Sequence, residues 1–193
     1  SGGAYQNIPF QIVVGNVGNA EVDGYDIEFK ALLSDNFEVG FNMTEINDAY
    51  VNAAQEYPEP RAIGGSVPSG LAAQSALPLF ADQSYYLYAQ FSGIPAFGGT
   101  GGLRVQHSHV GSSLNQLTDG FTSPRLTQGD YDVTDAMLTW ESDNWSAQLR
   151  FSNIFDERGI TYEDTTDFDT VFGRNSSNVI RPRNYSLTIR HYF

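Results

Sequence analysis

Two histidines, His107 and His109, are the residues best suited by type and spacing to bind a transition metal. One residue separates them, so on a β-strand both imidazoles point to the same face. Leu103 and Val105 share that face, which is therefore apolar. The pattern favours a pair of side chains at an apolar–water interface over a metal site. His191, near the end of the chain, has the same interpretation.

A cluster of carboxylates lies in residues 162–169, which read Tyr-Glu-Asp-Thr-Thr-Asp-Phe-Asp. Carboxylate oxygens are the ligands that calcium prefers, but the spacing and the turn glycine of a calcium loop are both missing. The sequence therefore predicts a solvated acidic loop. Its field would repel or select charged ligands.

Two further segments have the residues of a phosphate loop and of a nucleophile, but not the required context. Residues 98–102 are rich in glycine, yet no Lys-Ser/Thr follows and the next element is a strand, so a flexible turn is predicted. Ser66 and Ser69 lie in a stretch rich in glycine and proline, without the G-x-S-x-G pattern of a nucleophile elbow. No catalytic, cofactor-binding or metal-ligating residue is predicted, and the protein is not expected to be an enzyme.

Aromatic residues in the predicted loops have the chemistry to stack on a ligand. At the roots of loops, however, aromatic side chains more often form an interfacial girdle, so they are not predicted as a binding site. These residues are Tyr50, Tyr57, Phe80, Phe121, Phe168 and Phe172.

The composition restricts the classes of protein to which the chain can belong. Its 193 residues are enough for one domain of ordinary size, and the absence of cysteine excludes a disulfide framework, a thiolate zinc site and a cysteine nucleophile. A net charge of −13 would repel a phosphate backbone, so nucleic acid is not an expected partner. The 13% of aromatic residues distinguishes the chain from acidic disordered segments.

Apolar and polar residues alternate with a period of two along most of the chain, whereas no apolar run approaches the roughly twenty residues of a transmembrane helix. Most alternating segments are close to the length of about ten residues with which a tilted strand crosses a bilayer, and strands of soluble proteins are usually nearer five or six. Eight strands are predicted, at residues 9–14, 25–31, 37–44, 85–91, 102–112, 131–140, 145–152 and 184–193.

The polar faces of these strands carry charged side chains. Such charges are tolerated in a wide barrel, whose interior is wet or packed against a polar plug, but not in a small barrel filled by side chains. They are Asp26, Glu28, Lys30, Arg104, Arg150 and Arg190.

Connections between the predicted strands differ in length in an ordered way. Residues 34–36 and 141–144 form tight turns, and residues 93–101 form a glycine-rich turn of intermediate length. The long connections are residues 48–82, 113–130 and 156–181. Counted back from Phe193, every long connection falls on one side, as expected for the extracellular loops and short periplasmic turns of outer-membrane barrels.

Three motifs in this order resemble the end of the barrel of TonB-dependent outer-membrane receptors. Residues 19–29, NAEVDGYDIEF, are similar to the family's N-A-x-x-x-G-x-E-x-E strand, with Asp26 in place of the first Glu. Residues 145–157, with Asn153-Ile-Phe-Asp156 and the later Tyr162, resemble N-W-x-x-x-L-x-V-x-N-L-F-D-x-x-Y. Residues 181–193 resemble R-P-R-x-Y followed by a closing aromatic, the signal read during barrel assembly.

The resemblance implies an all-β, antiparallel transmembrane β-barrel, of which residues 1–193 are the C-terminal part without the plug domain or the TonB box. It implies a receptor for uptake of a scarce nutrient (siderophore-bound iron, vitamin B12, a sugar or a peptide), of which this segment alone is not transport-competent. The expected location is the bacterial outer membrane, with the C-terminus in the periplasm. The expected partners are outer-membrane lipid, the rest of the barrel and plug, and TonB through the N-terminal part only; no cofactor is expected.

Two alternatives remain open at this point. One is a stand-alone small outer-membrane barrel that acts as a structural or interaction scaffold. The other is a soluble β-sandwich, either a binding module or a hydrolase, which requires the apolar faces of the strands to meet in a core.

Overall fold

The computed structural model describes residues 19–51, 76–116, 125–164 and 176–193, and every regular element in these ranges is a β-strand. The nine strands are β1 (Ala20–Ser34), β2 (Phe37–Val51), β3 (Gln83–Ala96), β4 (Gly99–Leu114), β5 (Thr127–Glu141), β6 (Trp145–Ser152), β7 (Ile160–Asp164), β8 (Ser176–Val179) and β9 (Asn184–His191). No helix of the described ranges has the length and hydropathy to cross a membrane, a criterion that does not address strands.

All nine strands belong to one antiparallel sheet with the order β1-β2-β3-β4-β5-β6-β9. β6 pairs with the end of β5 nearest the β5–β6 turn, and β7 continues along the other end of β5 through the pair Gly129 and Ile160. β7 in turn pairs with β8. The sheet thus has seven barrel-length strands, of which the last two are each interrupted: one consists of β6 and β7, the other of β8 and β9.

The predicted strands are confirmed wherever the structure describes them. Six predicted segments fall within β1 to β6, and the seventh, residues 184–193, contains β9 and extends two residues past its end. The eighth, residues 9–14, lies outside the described residues. β1 to β5 are 14 to 16 residues long, longer than predicted, because ladder hydrogen bonds continue past the point where the alternation ends. β7 and β8 were not predicted, since neither shows an alternating pattern.

The turns sort by length as predicted. The links at Asp35–Asn36 and Ser142–Asn144 are tight and lie at one end of the sheet, together with the end of β9; we call this the short-turn end. The three long links, between β2 and β3, β4 and β5, and β7 and β8, are all at the opposite, long-connection end. The predicted connection at residues 156–181 is wrong in its bounds, because it contains β7 and β8. Another prediction is wrong: the turn at residues 93–101 is not intermediate, because β3 and β4 continue to Ala96 and Gly99 and leave only Phe97 and Gly98, both with positive φ, as the two-residue turn.

One face of the sheet, the apolar face, carries large hydrophobic side chains in register across the strands. They are exposed: Leu138 is 44% and Leu187 is 63% exposed, and Val51 is the one buried hydrophobic residue among those described. The described strands form a single sheet, whereas the soluble sandwich requires two sheets whose apolar faces pack on each other. One register row of the apolar face contains Phe37, Phe91, Leu103, Leu138, Leu149 and Leu187.

Candidate functional site

The opposite face of the sheet, the polar face, carries a network of hydrogen-bonded and charged side chains. It arises directly from the alternation, because residues between those of the apolar face must point the other way. Two adjacent register rows supply most of it. One row contains Lys30, Gly40, Tyr88, Gln106 and Asp135; the other contains Glu38, Gln90, Arg104, Met137 and Arg150.

Arg104 lies at the centre of the network. Its guanidinium donates hydrogen bonds to the Gln90 carbonyl oxygen (2.8 Å), the Tyr86 hydroxyl (2.8 Å) and the Gln106 carbonyl oxygen (3.3 Å). Its Cζ also lies 3.9 Å from the centre of the Tyr88 ring, within cation–π range. Several contacts with neutral groups therefore fix the guanidinium in one orientation.

Tyr88 links Arg104 to the β1 side of the sheet. Its hydroxyl donates to Glu38 (2.6 Å), and Glu38 forms an ion pair with Lys30 (3.1 Å). The ring lies across Gly40 on the neighbouring strand, and a Cβ at Gly40 would collide with the ring. The absence of a side chain at residue 40 thus allows the aromatic ring to lie flat on the strand. In this arrangement the glycine is buried.

Asp135 links the network to the β6 side. It accepts hydrogen bonds from the Gln106 amide (3.2 Å) and from the backbone N–H of Asn153 (2.9 Å), and it lies 3.7 Å from an Arg150 nitrogen. A cavity of about 330 Å³ opens on the polar face at this point. Its lining includes Arg104, Arg150, Gln90 and Gln106.

Asn153 organises the point at which β6 is interrupted. It has φ of 51° and is 3% exposed. Its Oδ1 accepts from the Glu157 N–H (2.9 Å), and its Nδ2 donates to the carbonyls of Glu157 (2.9 Å) and Arg181 (3.0 Å). Asparagine tolerates the left-handed conformation better than most residues, and its amide supplies both a donor and an acceptor.

Asp156 and Arg183 close the same turn from its other side. Asp156 also has positive φ, and its carboxylate accepts from the Arg183 N–H (3.1 Å) and lies 3.9 Å from the guanidinium. Together with Asn153, these contacts bring the start of β9 beside the end of β6, so that Ser152 pairs with Asn184 across 31 intervening residues. The motif residues at 153, 156 and 183 therefore set the register of the last strand.

Comparison with known proteins identifies the architecture. No protein-family model and no curated protein sequence matches the chain. Two solved structures match over 92% of it: the ferric yersiniabactin uptake receptor FyuA from Yersinia pestis, with a TM-score of 0.64 and 19% identity, and the siderophore receptor PiuA from Acinetobacter baumannii, with 0.61 and 16%. The fold is that of a receptor barrel.

The match covers 24% of the FyuA chain and 22% of the PiuA chain, so this chain spans about a quarter of the length of either receptor barrel protein. The predicted fold class, several strands of a larger antiparallel barrel, is confirmed. The resemblance on which it was based is confirmed at the level of the fold. In the described residues the sheet does not close, because β1 and β9 are the two ends of the strand path.

The histidine pair lies on the apolar face of the sheet, as its phase predicts. His107 and His109 both approach the same Asp132 oxygen, at 3.2 and 3.1 Å, and the His109 ring stacks on Tyr85 at 4.9 Å. His107 also contacts the Thr134 hydroxyl at 2.9 Å. Among the described residues, no group of three or more histidine and acidic side chains is arranged to hold a metal ion.

The other segments with candidate chemistry are dispersed. The first residues of the acidic segment, Tyr162 to Asp164, end β7, and the rest lie outside the described residues. Gly98 belongs to the two-residue turn, and Gly99–Gly102 begin β4. Tyr50 is the next-to-last residue of β2 and is half-buried, and Phe80 lies exposed in the β2–β3 link. Residues outside the described ranges are Ser66, Ser69, Tyr57, Phe121, Phe168 and Phe172.

The sequence prediction identified the charges of the polar face but not their partners. Lys30, Arg104 and Arg150 were placed on polar faces, whereas Asp135 and Gln106 were not singled out, because their strands alternate irregularly. Gly40 and Tyr88 were seen only as members of strands. A glycine on the polar face and a tyrosine in phase on a neighbouring strand were the available signal, but register across the 31 residues between β2 and β3 cannot be read from one sequence.

Proposed function

We propose that residues 1–193 are the C-terminal part of the barrel of a TonB-dependent outer-membrane receptor that takes up a scarce nutrient. Siderophore-bound iron is the first candidate, since the two similar structures are a ferric yersiniabactin uptake receptor and a siderophore receptor. Vitamin B12, a sugar or a peptide are the other candidates. The protein is not an enzyme in this proposal, and it uses no cofactor.

The observation that carries the proposal is the apolar face of the sheet. On this face of a single sheet, the large hydrophobic side chains are exposed or only half-buried on every barrel-length strand. In water, exposed hydrophobic patches are rarely larger than a few hundred Å². Hydrocarbon chains of a membrane would cover this face, and the antiparallel ladders already satisfy the backbone groups that must not be left unpaired there.

The orientation follows from the sorting of the connections. Outer-membrane barrels have short turns in the periplasm and long loops outside. The short-turn end and Phe193 would therefore be periplasmic, and the three long connections would face the medium. The polar face would line the lumen, where the network around Arg104 is compatible with water or with a polar plug.

The partners of this chain in the proposal are outer-membrane lipid, the remaining barrel strands at the free edges of β1 and β9, and a plug in the lumen. TonB would act through the N-terminal part of the receptor, so residues 1–193 alone would not transport. The stand-alone small barrel has no observation in its favour, because β1 and β9 do not pair with each other among the described residues.

The test is nutrient uptake by cells that depend on the full-length receptor. Deletion of the gene should abolish uptake of one class of nutrient, restoration of the gene should recover it, and loss of TonB should abolish it in both strains. Ferric siderophores, vitamin B12, sugars and peptides would be supplied separately as the limiting nutrient. Uptake of all four classes that is unchanged by deletion, or that persists without TonB, would contradict the proposal.

A further inference from the structure

The Arg104 guanidinium is held by uncharged groups although it is itself charged. Its hydrogen-bond acceptors are the side chains of Gln90, Gln106 and Tyr86, and its stacking partner is the Tyr88 ring. Among the described residues, no carboxylate lies within ion-pair distance of it. A guanidinium oriented in this way by neutral contacts has already lost the rotational freedom that binding would otherwise cost.

A second guanidinium faces the same cavity. Arg150 lies in the same register row as Arg104, two strands away, with Met137 between them. Its ion pair with Asp135 is long, at 3.7 Å, and its side chain is 53% exposed. Both Asp135 oxygens already accept other hydrogen bonds, from Gln106 and from the Asn153 backbone. Asp135 is therefore an incomplete counter-charge for the two arginines.

The cavity between the arginines has the size and the donors for a carboxylate side chain. Its volume is about 330 Å³, and its lining combines the two guanidinium groups and the amides of Gln90 and Gln106 with one carboxylate, that of Asp135. The cavity wall therefore carries two positive charges and one negative charge. Planar guanidinium groups bind carboxylates through paired hydrogen bonds, and such charge-assisted bonds are about twice as strong as neutral ones.

We propose that this cavity is the docking site of an acidic side chain, Asp or Glu, from the plug that fills the barrel lumen. The proposal rests on the proposed function, which places the polar face in the lumen. A resident carboxylate fits better than a transient ligand, because Asp135 balances only one of the two guanidinium charges, and the remaining charge is present at all times and not only during uptake. The plug acid thereby anchors the plug to the β4–β6 part of the wall.

The main test measures release of the plug from the full-length receptor. Arg104→Gln, Arg150→Gln and the double variant remove the charges, and Arg190→Gln is the control, because Arg190 carries the same charge on the same face but does not line this cavity. In urea, the plug of the double variant should become accessible to protease at least about tenfold faster than that of the wild type. The control should stay within about twofold.

A second measurement begins with the wild-type receptor, so its first result does not depend on whether the variants assemble. In the wild-type receptor, raising the salt concentration from low to molar should accelerate plug release, because salt screens the ion pair. The double variant, where it assembles into a heat-modifiable barrel, should have lost most of this salt dependence. Replacement of each plug Asp and Glu by its amide should then identify one acid whose effect is not additive with Arg150→Gln.

The outcomes separate the possible failures. A plug whose release is indifferent to salt and to both arginines would overturn the acid-docking site and leave the proposed function intact. Unchanged plug release, together with a raised KM for uptake in the double variant, would assign the cavity to an anionic group of the nutrient and would also overturn it. A full-length protein without a plug would remove the proposed function itself.

Discussion

The two faces of this sheet are built from alternate residues of the same strands, but different forces organise them. On the apolar face, rows such as the one from Phe37 to Leu187 have no partner within the described chain and leave side chains like Leu187 63% exposed. On the polar face, many long side chains have a specific partner, from Lys30 on β1 to Arg150 on β6. The apolar face depends on its surroundings, whereas the polar face is stabilised from within.

This difference determines where the chain tolerates change. A face whose only requirement is hydrophobicity accepts any apolar side chain, and it rejects charge strongly at the centre of a bilayer. A face made of hydrogen bonds rejects changes of shape and of donor or acceptor, since a half-satisfied network leaves polar groups without partners. Three substitutions, each with a matched control, test this contrast.

The largest effect is expected from Leu138→Arg on the apolar face. Leu138 is 44% exposed in the middle of the sheet, and its replacement would place a charge in hydrocarbon. The free energy of unfolding of the full-length receptor in lipid bilayers, measured in urea, should fall by about 3 kcal/mol. The control, Thr139→Arg, adds the same side chain to the adjacent, exposed position on the polar face and should cost less than about 0.5 kcal/mol. Equal losses for both variants would remove the distinction between the faces.

The next effect is expected from Asn153→Ala at the interruption of β6. The substitution leaves the carbonyls of Glu157 and Arg181 and the Glu157 N–H without their partners, at a residue that is 3% exposed. The loss of unfolding free energy should be about 2 kcal/mol. Asn153→Asp retains the acceptor and loses the donor, so its free energy of unfolding should lie between that of the wild type and that of the alanine variant. An alanine variant as stable as wild type would show that the turn does not depend on this amide.

A smaller effect is expected from Gly40→Ala on the polar face. The added methyl group displaces the Tyr88 ring and weakens its contacts with Glu38 and Arg104, at a cost of about 1 kcal/mol. Gly101→Ala is the control, because a Cβ there meets its nearest neighbours at ordinary contact distances from 3.5 Å and φ is not positive. Its effect should be below about 0.5 kcal/mol. If Gly101→Ala lowered the free energy of unfolding as much as Gly40→Ala, the close approach of Tyr88 to residue 40 could not be the cause of the destabilisation.

The regular part of the fold could be predicted from the sequence, because a period of two is enough to define a strand and its two faces. The strands β1 to β5, their two faces and the sorting of the turns follow from that pattern and from connection length. The interrupted strands could not be predicted. β7 and β8 lack alternation, and the pairing of Ser152 with Asn184 depends on side-chain bonds of Asn153 and Asp156 that no periodicity encodes.

The polar face was predicted only in part. The alternation of each strand places the charges of Lys30, Arg104 and Arg150 on the polar face, but it does not indicate which side chains of neighbouring strands contact each other. The contact between Gly40 and Tyr88 requires the β2–β3 register, and the link from Gln106 to Asp135 requires the β4–β5 register. Both registers are set across long connections, so they depend on the assembled sheet and not on local sequence.

The most direct test of the account is the environment of successive residues along β9 and beside it. Spin labels would be placed one at a time at Ser186, Leu187, Thr188 and Ile189, and at Leu149 on β6, in the full-length receptor in lipid bilayers. Accessibility to oxygen, which concentrates in hydrocarbon, should be high at Leu187, Ile189 and Leu149, and accessibility to a water-soluble nickel chelate should be low at these sites. Ser186 and Thr188 should be less accessible to oxygen. A pattern without this alternation, or contact of Leu149, Leu187 and Ile189 with a protein core in water, would contradict the account.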